Sequence, residues 1–233
     1  MTRKKSKVTK SAGRDRPKET PATAPRSSAA RKTRTIKRAE DAPPRALSTP
    51  RRVDFPVVGI GASAGGLEAL ARFLETMPPN PGISCVVVVH LDAQHESLLP
   101  ELLQRNTTLS VEQIADGQLI EPDTVYVVPP GAILSIFNGT LYLEQIKEER
   151  TTPLVIDQFF RSLAEDRKDN AVAIVLSGTG TDGTIGIRAI KGEAGLVMVQ
   201  DGTAKYDGMP TSAIRTGLAD YVLPAVSPFQ RPD

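Results

Sequence analysis

The sequence contains no tryptophan and only one cysteine, and aromatic residues make up 4% of its 233 positions. A single cysteine, Cys85, excludes an internal disulfide and offers no framework for a metal ion, which favours a reducing compartment. No apolar run reaches the roughly 18 residues that a membrane-spanning helix needs. The first residues lack the apolar segment of a secretory signal peptide. The sequence therefore predicts a cytoplasmic protein without a membrane span.

Charge is divided unevenly along the chain. Residues 1–52 contain 17 Lys and Arg against four Asp and Glu, and the remaining residues contain 12 and 23, so a near-neutral total hides a basic arm and an acidic body. The arm is rich in Lys, Arg, Ser, Thr, Ala and Pro and cannot bury enough apolar surface to offset its chain entropy. We expect residues 1–52 to be disordered and residues 53–226 to form one domain.

The basic arm has the charge to neutralise nucleic-acid phosphates. It has no aromatic residue, however, so it lacks the side chains that stack on bases. Its charges also show no amphipathic periodicity, which argues against an organelle transit peptide. We therefore favour a solvated tail and expect no nucleic-acid partner.

In the body, short segments rich in β-branched residues alternate with segments whose apolar residues recur at spacings of three and four. The predicted strands are 55–60, 84–89, 111–115, 124–128, 171–176, 196–200 and 221–223, and the predicted helices are 67–74, 98–103, 154–167, 184–191 and one from 211, after a turn at 207–210. Asn138-Gly139 between segments 133–137 and 140–145 predicts a hairpin. This pattern predicts an α/β fold: three layers, doubly wound, with a mostly parallel sheet and an inserted antiparallel hairpin.

One stretch, GIGASAGG at residues 59–66, joins the first predicted strand to the first helix. Its single hydroxyl, Ser63, has neighbours no larger than alanine and precedes a helix whose first N–H groups suit a developing oxyanion, as a nucleophile requires. The same stretch fits a dinucleotide fingerprint, Gly59-x-Gly61-x-x-Ala64, although the acidic residue expected about 20 positions later is missing. A tight βα turn without a function is the third interpretation. The stretch alone leaves all three open.

Two further polar residues follow predicted strands at the same edge of the sheet. His90 comes directly after strand 84–89, and Asp182 follows strand 171–176 in a glycine-rich turn. Ligands gather at this edge in open α/β sheets. If the first strand is central, with the His strand on one side and the Asp strand on the other, Ser63, His90 and Asp182 converge. These residue types are the nucleophile, base and orienting acid of acyl transfer.

Five segments of the body resemble the catalytic domain of the chemotaxis protein-glutamate methylesterases, the CheB type. They are GIGASAGG at 59–66, VVH at 88–90, YVVPPG at 126–131, LSGTGTDG at 176–183 and DGMPTSAI at 207–214. The resemblance covers residues 55–224 and looks closest to the branch fused to a methyltransferase in hybrid proteins. It puts the family's nucleophile, base and acid on Ser63, His90 and Asp182.

The resemblance implies hydrolysis of glutamate methyl esters on the cytoplasmic helices of chemoreceptors or on another methylated protein. It also implies deamidation of glutamine in the same site, no cofactor, no metal, and a receiver or methyltransferase partner acting in trans. Backbone N–H groups after Ser63 and around Thr179 are the expected oxyanion donors. A catalytically idle module of the same fold and a nucleotide-binding domain are the alternatives.

The sequence departs from the family pattern at three places. Ala64 follows the serine where many members have Thr, Leu91-Asp92 follow the histidine where Met-Pro is common, and Thr179 stands where Met is frequent. Three other polar residues are given no part in the chemistry. His95 is interpreted as structural or exposed, Asp157 as a polar contact of the inserted helix, and Asp166 as a solvated charge.

Overall fold

The computed structural model describes residues 54–63, 65–90, 98–146 and 153–225. The predicted arm, Ala64, Asp92 and His95 lie outside these ranges, so the interpretations given for them stay predictions. The strands are β1 (Val57–Ala62), β2 (Ser84–Val89), β3 (Ser110–Gln113), β4 (Gln118–Leu119), β5 (Thr124–Val127), β6 (Ala132–Phe137), β7 (Thr140–Gln145), β8 (Ala171–Val175), β9 (Leu196–Gln200) and β10 (Tyr221–Leu223). The helices are α1 (Gly66–Glu75), α2 (Leu99–Gln104), α3 (Val155–Arg167), α4 (Gly186–Gly192) and α5 (Gly208–Arg215).

Seven of these strands form a parallel sheet in the order β10-β9-β8-β1-β2-β5-β3. β1 lies inside the sheet, paired with β2 on one side and β8 on the other, so the condition under which Ser63, His90 and Asp182 converge is met. The chain adds β2 to one side of β1 and later adds β8 to the other, so the direction of winding switches beside β1. In open α/β sheets such a switch opens a crevice at the carboxyl ends of the strands.

Apolar side chains cover both faces of this sheet, which gives the domain three layers. One face packs against α3 and α4 through side chains that include Phe159 and Ile187. The other face packs against α1 and α2 through side chains that include Leu70 and Leu103. Each such fully buried side chain contributes about 1.5–3 kcal/mol. Burial in β2 also raises the pKa of Cys85 to about 12, so its thiol stays protonated and inert.

A second, antiparallel sheet has the order β4-β7-β6. Its β6–β7 hairpin turns at Asn138 and Gly139, which have φ angles of 49° and 73°, the conformation that an Asn-Gly turn favours. The predicted hairpin is confirmed. Asp166 of α3 accepts the N–H groups of both turn residues and pairs with Arg167. With 6% of its side chain exposed, Asp166 is a buried cap of the hairpin, and its interpretation as a solvated charge was wrong.

Gly59 and Gly61 of β1 face helix α3. A Cβ atom added at Gly61 would lie 2.5 Å from Cγ2 of Ile156, and one at Gly59 would lie 2.9 Å from the ring of Phe159. The missing side chains therefore let α3 lie directly against β1. These two glycines of the Gly-x-Gly pattern serve the packing of a helix against a strand.

We expect Gly61→Ala to lower the free energy of unfolding by about 1–3 kcal/mol, because a packed core gives little room for an extra methyl group. Denaturant unfolding measures the change. Gly192→Ala is the matched control: a Cβ there would meet no atom within 4 Å, and we expect a change within about 0.5 kcal/mol. Equal effects of the two substitutions would contradict the packing role of Gly61.

Candidate active site

Ser63 follows the last residue of β1 and precedes the first turn of α1. Its N–H donates to the carbonyl of Ser177 at 3.0 Å, and its own carbonyl accepts the N–H of Gly66 at 2.8 Å. Gly65 adopts a φ of 70°, a left-handed conformation that lets the chain turn sharply into the helix. The backbone of Ser63 is therefore fixed between β1, the loop after β8 and α1, and its side chain is half-buried.

On the side of β8, the residue that lies against Ser63 is a glycine, Gly178. A Cβ atom added at Gly178 would lie 2.9 Å from Cβ of Ser63 and would overlap the sulfur of Met209. Gly178 itself is held by its N–H, which donates to the carbonyl of Tyr206 at 3.0 Å. The serine is thus closely packed on the side of β8, and this packing restricts where its hydroxyl can point.

His90 and Asp182 form a direct pair. Nε2 of His90 lies 2.8 Å from Oδ2 of Asp182, with 26% of the histidine side chain and 5% of the aspartate side chain exposed. An ionised carboxylate only accepts hydrogen bonds, so the contact requires the proton on Nε2. In the neutral ring Nδ1 then has no proton and is the nitrogen that can act as a base.

The carboxylate of Asp182 is held from several sides. Its Oδ2 accepts the N–H of Ile156 at 3.0 Å, and its Oδ1 accepts the N–H groups of Asp157 at 2.9 Å and Gly183 at 2.8 Å. Ile156 and Asp157 belong to the first turn of α3, whose N–H groups have no partner within the helix. Asp182 therefore caps α3 from a distant loop, and the N-terminal end of the helix favours its negative charge.

The strand register brings Ser63 next to this pair. Ala62 and Val89 are paired neighbours in β1 and β2, so Ser63 and His90 are the next residues of two adjacent strands. Ala62 packs into the core on the side of α1. Side chains alternate along a strand, so the position after Ala62 belongs to the opposite face, where α3 and Asp182 lie. The three predicted residues therefore lie at the same edge of the sheet.

The turn after β8 offers candidate oxyanion donors. Thr179 and Gly180 are exposed beside Gly178. Within the described residues their N–H groups donate no hydrogen bond, and neither do those of Thr181 and Asp182, whereas Ser177, Gly178 and Gly183 use theirs. Free N–H groups beside the nucleophile are what a tetrahedral oxyanion requires. Of the N–H groups after Ser63, that of Gly66 already donates to Ser63, whereas that of Gly65 donates no hydrogen bond within the described residues.

Exposed apolar side chains surround the site. Leu154 precedes α3, Ile185 follows the Asp182 turn, and the ring of Tyr206 lies against Gly65; their exposed fractions are 44%, 46% and 42%. Residues of this kind are enriched where proteins bind other proteins. Tyr206 could not be predicted from the sequence, because no local pattern shows that the loop after β9 folds back against Gly65 and Gly178.

Among the described residues, no cluster of three or more His, Cys, Asp or Glu side chains suits a metal ion. Within the same ranges, no helix combines the length and the hydropathy needed to cross a bilayer.

A sequence model of the CheB methylesterase family matches residues 58–227. The chain therefore belongs to the CheB methylesterase family, and the predicted resemblance is confirmed. The chain also resembles the crystal structure of the Thermotoga maritima CheB methylesterase catalytic domain, with a TM-score of 0.66 and 33% identity over 73% of this chain and 93% of that one. The predicted α/β fold is that of the catalytic domain.

Two curated relatives extend the comparison. A protein-glutamate methylesterase/protein-glutamine glutaminase of Moorella thermoacetica is 33% identical over 75% of this chain and 42% of that protein. An uncharacterized 104.1 kDa protein of Rhodobacter capsulatus is 41% identical over 54% of this chain and 13% of that protein. The chain thus spans less than half the length of either relative, and the predicted likeness to the hybrid branch stays a prediction.

Proposed function

We propose that this protein is a serine esterase that removes methyl groups from glutamate methyl esters of other proteins. The observation that carries the proposal is the His90–Asp182 hydrogen bond at 2.8 Å, next to a serine that follows the central strand. It supplies an oriented base beside a hydroxyl in a half-buried crevice, the arrangement that acyl transfer needs. Family membership and the printed names of the relatives support the same chemistry.

In the proposed mechanism, Oγ of Ser63 attacks the ester carbonyl while Nδ1 of His90 takes the hydroxyl proton. The positive charge on the ring is stabilised by Asp182, and the oxyanion is stabilised by backbone N–H groups after Ser63 and around Thr179. The tetrahedral intermediate collapses when His90 passes its proton to the departing methoxide, which leaves as methanol. A glutamyl ester of Ser63 remains on the enzyme.

The second half of the reaction uses the same groups. His90 takes a proton from water, whose oxygen attacks the glutamyl ester. The new intermediate collapses to the carboxylic acid of the glutamate side chain as the proton returns from His90 to Oγ of Ser63. A glutamine amide presents the same carbonyl with ammonia as the leaving group. We therefore include deamidation of glutamine as a second reaction of the site, in line with the relative's double name.

We further propose that the substrates are methylated cytoplasmic helices of chemoreceptors and that the protein works in the cytoplasm. The exposed Leu154, Ile185 and Tyr206 around the site suit a protein substrate better than a small ester. We assign catalysis to the domain 53–226. We also propose that a receiver or methyltransferase acts in trans as its partner.

Methanol release tests the proposal. The full chain is incubated with chemoreceptor fragments methylated to a known level, and released methanol is measured against fragments alone. We expect turnover in the usual enzyme range, about 1–10³ s⁻¹, and none with unmethylated fragments. If a small-molecule ester is hydrolysed but methylated receptor fragments are not, the esterase chemistry stands and the assigned substrate is wrong.

A further inference from the structure

Asp157 is a buried carboxyl group that the proposed mechanism leaves unused. It lies in the first turn of α3 with 3% of its surface exposed. Its Oδ1 accepts the N–H of Gly186, the first residue of α4, at 2.6 Å. A Cβ atom at Gly186 would lie 3.1 Å from Cα of Asp157. The two helices therefore touch here, with the carboxyl group at the junction.

The same residue also contacts Asp182. The N–H of Asp157 donates to Oδ1 of Asp182 at 2.9 Å. Asp157 thus holds both ends of the segment 182–186: its backbone binds the first residue and its side chain binds the last. A shift of Asp157 would move Asp182 and, through it, the ring of His90.

The charge state of Asp157 matters because of what surrounds it. Its Oδ2 is buried and has no hydrogen-bond partner among the described residues. Burial raises the pKa of Asp157, and the negative charge of Asp182 adds to this effect. The backbone N–H groups of Gly186 and Ile185 and the exposed Arg161 oppose this shift in the pKa without cancelling it. Leaving a buried, ionised oxygen unpaired costs far more than leaving a neutral hydroxyl there.

We propose that Asp157 is a positioning residue for Asp182 and keeps its proton while the enzyme works. As a neutral acid it anchors α4 through Gly186 and fixes the Asp182 turn. It also leaves Asp182 as the carboxylate whose negative charge acts on His90. The positioning role rests on the proposed function, whereas the charge state can be measured without any substrate.

NMR titration of the imidazoles of the full chain tests the charge state. The chain has two histidines, so His95→Gln assigns both signals. Asp182→Asn should move the midpoint of the His90 titration to lower pH, because the opposite charge beside the ring is lost. Asp157→Asn should move it by less than about half a unit, because an amide and a neutral acid carry the same charge. A larger shift with Asp157→Asn overturns the proposal.

Activity tests the positioning role. Asp157→Leu removes the acceptor for the Gly186 N–H, and we expect kcat/KM to fall on the order of 100-fold, with Asp157→Asn recovering most of that loss. Asp166→Asn, a buried cap on the same helix, is the control and should not alter the His90 titration. Equal activity of the Leu and Asn variants overturns the positioning role. If Asp157→Leu does not fold, the titration still decides the charge state of Asp157, and the activity of Asp157→Asn is compared with that of the unchanged chain. If the unchanged chain has no esterase activity, the proposed function is refuted and the charge state can still be measured.

Discussion

Ser63→Ala should lower methylesterase turnover by about five to six orders of magnitude, the loss seen when a triad nucleophile is removed. Without the hydroxyl no glutamyl ester can form. The remaining groups can still bind the ester and stabilise an oxyanion, so a small residual rate over water is expected. Methanol release from methylated receptor fragments measures the change.

The same substitution should leave the fold intact. The backbone hydrogen bonds of Ser63, to Ser177 and from Gly66, do not use its side chain. We therefore expect the free energy of unfolding to change by less than about 0.5 kcal/mol. Ser110→Ala, on the edge strand β3, is the matched control and should keep full activity.

Labelling with a fluorophosphonate separates the proposed enzyme from an idle domain of the same fold. The full chain should be labelled, and Ser63→Ala should not. Labelling that persists in Ser63→Ala, or turnover that survives in it, would contradict the assignment of the nucleophile. A chain that resists the reagent and releases no methanol would be an idle module.

Asp182→Asn should lower kcat by about 10⁴-fold, as the corresponding change does in another Ser-His-Asp enzyme. The amide nitrogen would face Nε2 of His90 and favour the wrong tautomer of the ring. The proton would then sit on Nδ1, where the mechanism needs a base. The loss should appear in kcat more than in KM, because the carboxylate does not contact the substrate.

Asp182→Asn should also destabilise the protein, because Oδ2 accepts the N–H of Ile156 as well. An NH₂ group in its place would face that donor and leave it unpaired, at a cost of about 1–3 kcal/mol. Asp166→Asn is the control, since it weakens a buried cap far from the serine. It should lose stability and retain kcat. If both variants lose kcat equally, Asp182 does not orient His90 or stabilise its positive charge in the reaction.

Much of the fold follows from local patterns. The valine-rich segments and the helical spacings predicted the mostly parallel sheet, but they did not fix the strand order, in which β1 lies between β2 and β8. The predicted turn at 207–210 was wrong in part, because α5 already begins at Gly208. Pro210 lies in the first turn of that helix, where a missing N–H costs nothing. A proline near a helix start therefore does not distinguish a turn from a helix.

Contacts between distant segments were not predictable in the same way. Strand β4 has two residues and exists because it pairs with β7. Asp166 looked like one more charge on a helix, yet its partners are the N–H groups of a hairpin turn 27 and 28 residues away. Neither case has a local signal, since each depends on which elements become neighbours.

The candidate site, too, was predictable where it depends on local patterns and not where it depends on contacts between distant segments. The residue types and their places after strands predicted Ser63, His90 and Asp182, and the assignment of their roles stays a prediction. The capping of α3 by Asp182 could not be foreseen, nor the burial of Asp157 at the junction of two helices. Both depend on how closely α3 approaches the sheet, which the glycines of β1 allow.

The cap that Asp182 places on α3 has a consequence for evolution. A descendant that no longer needed esterase activity would be free to lose Ser63, whose side chain supports no other element. It would still be selected to keep Asp182, because the start of α3 depends on that carboxylate. Retention of the aspartate in a relative is therefore weak evidence of activity, and retention of the serine is the informative sign.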